Sequence, residues 1–246
     1  MSNSAVGKQQ PMAAPAASGA STSARVLDRP LIGLLRLSGE QALYVLFMIV
    51  ALGMRLWGLG ARAMSHDESL HALFSWKLYN GEGYVHDPMM HGPFLFHANA
   101  LVYFLFGVSD FTARLVPALF GTALVGLPYL LRRWLGRAGA LCAAFFLLVG
   151  PSFLYYSRYI RNDIYICVWT LLLAWALFRY VEEGQRKHLM LGAAFLSLSI
   201  ATKEVAFITL FIGATFVALA ALWESLSRGG RLYLQVGVAA LGVGLL

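Results

Sequence analysis

The sequence predicts an all-α, polytopic membrane protein, on three observations: an apolar composition, apolar runs of membrane-spanning length, and a sided distribution of charge. Of 246 residues, 59% are hydrophobic and 13% are charged, against roughly 25% charged in soluble domains. A hydrocarbon core of ~30 Å takes ~20 mostly apolar residues per helix. Six stretches reach or approach that length, at residues 40–60, 111–131, 139–156, 164–181, 188–202 and 205–223. The fifth is short and is expected to borrow residues at its ends. A seventh begins near Tyr233 and is still apolar at Leu246, so the chain is expected to stop partway through a longer protein.

The opening MSNSAVGKQQPMAAPAASGASTSA is Ala, Ser, Gly and Pro with one Lys. It lacks the apolar core of a signal peptide and cannot bury enough surface to fold. Residues 1–38 are therefore expected to be a disordered, basic, cytoplasmic tail, and residues 39–246 the transmembrane domain. Lys and Arg in short loops resist translocation. With the tail in the cytoplasm, twelve of the nineteen Lys and Arg residues fall inside and seven outside. Seven acidic residues (Asp67, Glu68, Glu82, Asp87, Asp110, Asp163 and Glu204) also fall outside, leaving the net +7 on the inner side.

A charge of +7 suits nucleic acid only where the basic residues share one solvated surface. Here they are spread between apolar segments, so the expected partner is membrane lipid and not nucleic acid. Cys142 and Cys167 lie in apolar runs without CxxC spacing, and are expected to be buried small hydrophobes.

About 50 residues separate the first two spans, too many for a simple turn. Two interfacial helices are predicted there, over residues 65–79 and 93–106, joined by a loop at 80–92. Pro93 after Gly92 suits a first helical position. The stretch SHDESLHALFSWKLYNGEGYVHDPMMHGPFLFH holds five of the six histidines.

Ser65 and Glu68 have capping-box spacing, which accounts for them without any function. Capping does not account for Asp67 and His71, four residues apart on one helix face, nor for His86, Asp87 and His91. Ionisable groups gathered at one membrane face point to a site. His86, Asp87 and His91 offer imidazole and carboxylate donors for a divalent metal, though in no strong zinc spacing. His97, in an apolar helix, reads as a packed or snorkelling side chain.

Two further outer clusters follow, and each has a bland alternative. In SRYIRND, Arg158 and Arg161 could anchor a helix end and Asp163 could cap the next helix. In ATKE, Lys203 and Glu204 could pair across a turn. Arg114 enters the second span in DFTARLVPALFG. Together the clusters supply carboxylates able to take a proton and cations able to neutralise a phosphate. That set suits group transfer from a phosphate-linked lipid carrier.

In order, the acidic pair, HGPFLFH, ARLVPALFG, RRWLGR, SRYIRND and ATKE resemble the N-terminal half of polyprenyl-phosphate-dependent GT-C glycosyltransferases. The nearest in wording are the protein O-mannosyltransferases, the aminoarabinose transferase of lipid A and, closest, the flippase-activity-associated glycosylation proteins. The resemblance spans residues 55–207. It implies a GT-C-like transmembrane bundle with interfacial helices in its first extracytoplasmic loop. It further implies an inverting transfer of sugar from a polyprenyl phosphate to a protein or glycolipid acceptor on the outer face.

By the same resemblance Asp67, Glu68 and Asp163 are the catalytic acids, Asp67 as acceptor-activating base or metal-holding acid. Arg114 and Lys203 match family residues and fall to substrate and phosphate binding, and Arg158, Arg161 and Glu204 are assigned to the same binding from their place in the outer clusters. Two features depart from the family pattern: Glu204, where relatives commonly have a small residue, and the histidine-rich loop. Alternative readings are a transporter or flippase for lipid-linked sugars, or an accessory to one, and a histidine-based sensor of metal or pH.

Overall fold

The computed structural model describes residues 38–87 and 90–226. The expected tail, apart from Ser38, and the start of a seventh span lie outside these residues. Among the described residues the elements are helices throughout. α1 (Gly39–Leu56) is the first apolar helix, and the chain turns out of it at Gly58, whose φ of +58° a side chain would resist.

α2 (His66–Tyr79) begins with the predicted capping box: Ser65 accepts from the Glu68 N–H, and the Glu68 carboxylate accepts from the Ser65 N–H. Its buried residues are Glu68, His71 and Ser75, a polar stripe where an apolar one would be usual. α3 (Phe94–Phe106) follows Pro93, and the loop ahead of it turns at His91 with φ +65°. His71 stacks on Phe96 with ring centres 5.9 Å apart, which seats α2 on α3.

The second expected span is segmented. A single turn, α4 (Asp110–Ala113), leads through Arg114 into α5 (Leu115–Gly126), and Pro128 opens α6 (Pro128–Val149). Within α6, Gly136 is not helical, with φ +71° and ψ 160°. This break falls in RRWLGR, where the sequence places a loop between the second and third spans. The third span is broken again at Gly150, before α7 (Pro151–Tyr156). α8 (Asp163–Glu183) ends at Gly184 in the left-handed region, α9 (Arg186–Ile200) returns beside it, and α10 (Val205–Leu226) follows.

Among the described residues, three stretches are long and apolar enough to cross a membrane: Gly39–Leu56, Leu115–Val149 and Asp163–Glu183. α9 has 15 residues, a length of ~22 Å at 1.5 Å per residue, short of the ~30 Å core. Cys142 is exposed and Cys167 half-buried, correcting the expectation of burial. In a membrane helix an apolar position can face lipid as well as protein, and hydrophobicity does not distinguish the two.

The main core joins α3, α5 and α8. Phe94, Phe120, Tyr165 and Trp169 form a four-ring cluster with centres 4.9 to 5.7 Å apart. Such pairs contribute about 0.5–1.5 kcal/mol each beyond burial. A second cluster, Ala51, Val125 and Leu148, packs α1 against α5 and the later half of α6. At the far side of the core, Trp169 Nε1 donates to Thr202 Oγ1 at 3.2 Å, tying α8 to the end of α9.

Candidate active site

The start of α2, the start of α8 and the α9–α10 turn bring their charged residues to one end of the bundle. Asp67, in the first turn of α2, keeps about half of its side chain exposed (51%), and its Oδ2 lies 3.9 Å from Arg161 Nη1. Arg161 Nε is also 3.3 Å from Asp163 Oδ2. Lys203 Nζ donates to the other oxygen of Asp163, Oδ1, at 2.7 Å. A continuous chain of alternating charge therefore runs Asp67–Arg161–Asp163–Lys203, drawn from three separate segments. Lys203 does not pair with its neighbour Glu204.

Glu204 instead accepts from His91, with Oε2 and Nδ1 2.7 Å apart. Burial raises the Glu204 carboxyl, but its own N–H and His91 outweigh this and bring it below the ordinary range. The two departures from the family pattern, Glu204 and the histidine loop, are thus bonded to each other. The His91 loop is also sewn to the same turn through its backbone. Gly92 N–H donates to Thr202 O at 3.2 Å and Phe94 N–H to Ala201 O at 3.0 Å. A Cβ on Gly92 would sit 2.2 Å from Ala201 O, so this approach requires glycine.

Glu68, one residue after Asp67, is fully buried. Arg114 grips it with Nε at 2.8 Å from Oε1 and Nη2 at 3.0 Å from Oε2. Arg62 Nη2 adds a bond at 2.9 Å, Ser65 N–H one at 3.2 Å and Ile160 N–H one at 3.4 Å. Burial alone would push this carboxyl up; Arg114, the Ser65 N–H and the Arg62 charge overcome it, and the net shift is downward.

Arg114, also fully buried, spends its remaining N–H groups on the carbonyls of Leu59, Arg62 and Ala63. The sequence reading gave Glu68 to catalysis and Arg114 to phosphate. The structure commits both to a closed knot that binds α2 to the segment after α1 and to the head of α5.

Arg158 likewise turns elsewhere, donating to Met54 O at 3.2 Å and Trp57 O at 2.6 Å at the end of α1. His71 is buried and donates through Nδ1 to the Asp67 backbone carbonyl (2.7 Å), not to its carboxylate. Burial lowers its proton affinity, only partly offset by that carbonyl. His97 Nδ1 lies 2.9 Å from Pro93 O, and His86 Nδ1 lies 3.3 Å from the Tyr84 hydroxyl.

Among the described residues no three His, Cys, Asp or Glu side chains converge as a metal-ligand set. His86, Asp87 and His91 form no such set here: His91, at a positive φ, has its Nδ1 2.7 Å from Glu204 Oε2.

Arg62 and Tyr159 are participants that the sequence reading left out of the site. Arg62 lies over the rings of Tyr155 and Tyr159 at 5.6 and 5.4 Å, and the Tyr159 hydroxyl is hydrogen-bonded to Ser65 Oγ. No local spacing announces these partners, because they meet across about 90 residues of chain.

Segmented spans, two short helices after the first span and a charge chain at one end describe a polytopic helical membrane protein, and the family it matches places it in the GT-C class. Residues 60–243 match the dolichyl-phosphate-mannose-protein mannosyltransferase family, and the chain belongs to that family. No curated protein matches the sequence. Among solved structures, ArnT from Cupriavidus metallidurans in its apo state is similar, with a TM-score of 0.65 and 24% identity over 85% of this chain. The chain spans 41% of the length of that protein.

Proposed function

We propose that the chain forms the catalytic end of a glycosyltransferase. In this reading it moves a sugar from a polyprenyl-phosphate donor to a protein or glycolipid acceptor, with inversion. The observation that supports it is the Asp67–Arg161–Asp163–Lys203 chain, in which the half-exposed Asp67 carboxylate stands beside Arg161 and Asp163 joins Arg161 to Lys203.

Asp67 takes the proton of the acceptor hydroxyl as that oxygen attacks the anomeric carbon on the face opposite the phosphate. The anomeric C–O bond breaks, and its electron pair leaves on the polyprenyl phosphate. Arg161 and Lys203 offset the added negative charge. Asp163 holds both cations in place, and the Glu68 knot fixes the helix that presents Asp67. The sided distribution of Lys and Arg supports a cytoplasmic N-terminus and an extracytoplasmic site.

The test is sugar transfer from a polyprenyl-phosphate donor by the full chain. Asp67→Asn is expected to lower the rate at least ~100-fold, within the range for loss of a general base. Undiminished transfer would overturn the reading.

A further inference from the structure

A second charged region lies where α1 ends, away from the residues just assigned to catalysis. Leu59, Arg62, Pro151, Leu154, Tyr155 and Arg158 line a cavity of ≈ 330 Å³ there, with no acidic residue on its wall. Arg62 and Arg158 line it, Arg114 donates to the carbonyls of Leu59 and Arg62 on its wall, and Arg55 lies further back along α1. Among the described residues, the only carboxylate paired with any of the four is Glu68. Arg55 and Arg158 thus have no carboxylate partner: Arg158 caps the end of α1 through the Met54 and Trp57 carbonyls, and Arg55 donates to the Ala51 and Leu147 carbonyls.

The two lining arginines keep donors in reserve. Arg158 uses an N–H on each terminal nitrogen for backbone carbonyls, and Arg62 uses one for Glu68, out of the five that a guanidinium carries.

The surroundings are those of a membrane interface. Trp57 is 83% exposed and Tyr155 50% exposed beside the cavity, as in the aromatic belts where headgroups meet hydrocarbon. Below Pro151, exposed Phe146 and Val149 continue an apolar strip along α6. Cationic cavities between membrane helices hold anionic headgroups, and a planar guanidinium matches phosphate in two-bond geometry.

We propose that this cavity binds the phosphate of an anionic membrane phospholipid between Arg62 and Arg158, with its acyl chains along the α6 strip. The cavity shares no residue with the Asp67–Arg161–Asp163–Lys203 chain. The lipid is therefore a bound structural or regulatory partner, separate from the sugar donor.

Native mass spectrometry of the full chain, released from mixed phosphatidylglycerol and phosphatidylcholine, tests this. The wild type is expected to retain phosphatidylglycerol roughly tenfold or more over phosphatidylcholine. R62Q/R158Q is expected to remove the preference and R62K/R158K to restore most of it. R186Q/K187Q, two exposed cations on α9, should leave it unchanged. If the double Gln variant does not fold, R62Q alone is read, with an expected drop of at least about threefold.

Equal retention of the two lipids by wild type, or an undiminished preference in the Gln variants, would overturn the proposal. So would displacement of the lipid by millimolar inorganic phosphate, which would assign the cavity to a free anion. Sugar transfer is not the readout, so this result and the catalytic reading stand or fall separately.

Discussion

Asp67 leaves half of its side chain exposed and meets one cation at 3.9 Å, whereas Glu68, the next residue, is fully buried under five hydrogen bonds. The contrast follows from helix geometry. Successive residues on a helix point about 100° apart, so a helix lying on a bundle sends one acid inward and leaves its neighbour outside. The inner acid is neutralised by two arginines and builds the platform. The outer one keeps lone pairs for chemistry. Identical functional groups at adjacent positions thus separate support from reactivity.

That separation can be broken from either side. The largest effect on stability is expected from Arg114→Ala, which strands the buried Glu68 carboxylate. Losing one partner of a buried pair costs about 3–5 kcal/mol, to be read as a lowered unfolding temperature in detergent. Lys203→Met acts on the other half of the comparison. Transfer should fall ~100-fold, as for removal of one charge-stabilising donor, with little change in unfolding temperature. A matching fall in stability would place Lys203 with the knot.

Gly92→Ala should cost about 1–3 kcal/mol through its clash with the α9 carboxyl end, together with a loss of transfer because the His91 loop must move.

The smallest effect is on pH dependence. His71 has a lowered folded pKa, so its contribution is present above the ordinary value of 6.5 and declines as pH falls below it. Glu68 is also lowered, so its contribution is present above about 4.5 and is lost as pH falls through its folded value. Thermal unfolding between pH 8 and 3 is therefore expected to weaken in two acid-side stages. H71F should flatten the upper stage and E68Q the lower one.

The helices flanking the site were legible because each has a local cause. Ser65 and Glu68 announce a cap by spacing alone, and the apolar runs announce themselves by length. Gly136 breaks α6 where the basic RRWLGR interrupts the apolar pattern. The partners of the charges were not legible, because pairing is a tertiary fact. Arg158 and Arg161 stand three residues apart, yet one caps α1 and the other joins Asp67 and Asp163. Lys203 and Glu204 are adjacent, yet they reach Asp163 and His91 respectively. The polar buried stripe of α2 was hidden for a related reason: the spacing pairs His71 with Asp67, whereas the side chains buried together are Glu68, His71 and Ser75.

The two backbone hydrogen bonds from Gly92 and Phe94 to the end of α9 also limit how this end of the bundle can move. Lys203 follows directly on Thr202, whose carbonyl holds Gly92, and His91 precedes Gly92. A substrate that pulls on Lys203 therefore pulls on the His91 loop through main chain, with no flexible side chain to absorb the displacement. The loop and the turn are therefore joined as one mechanical unit.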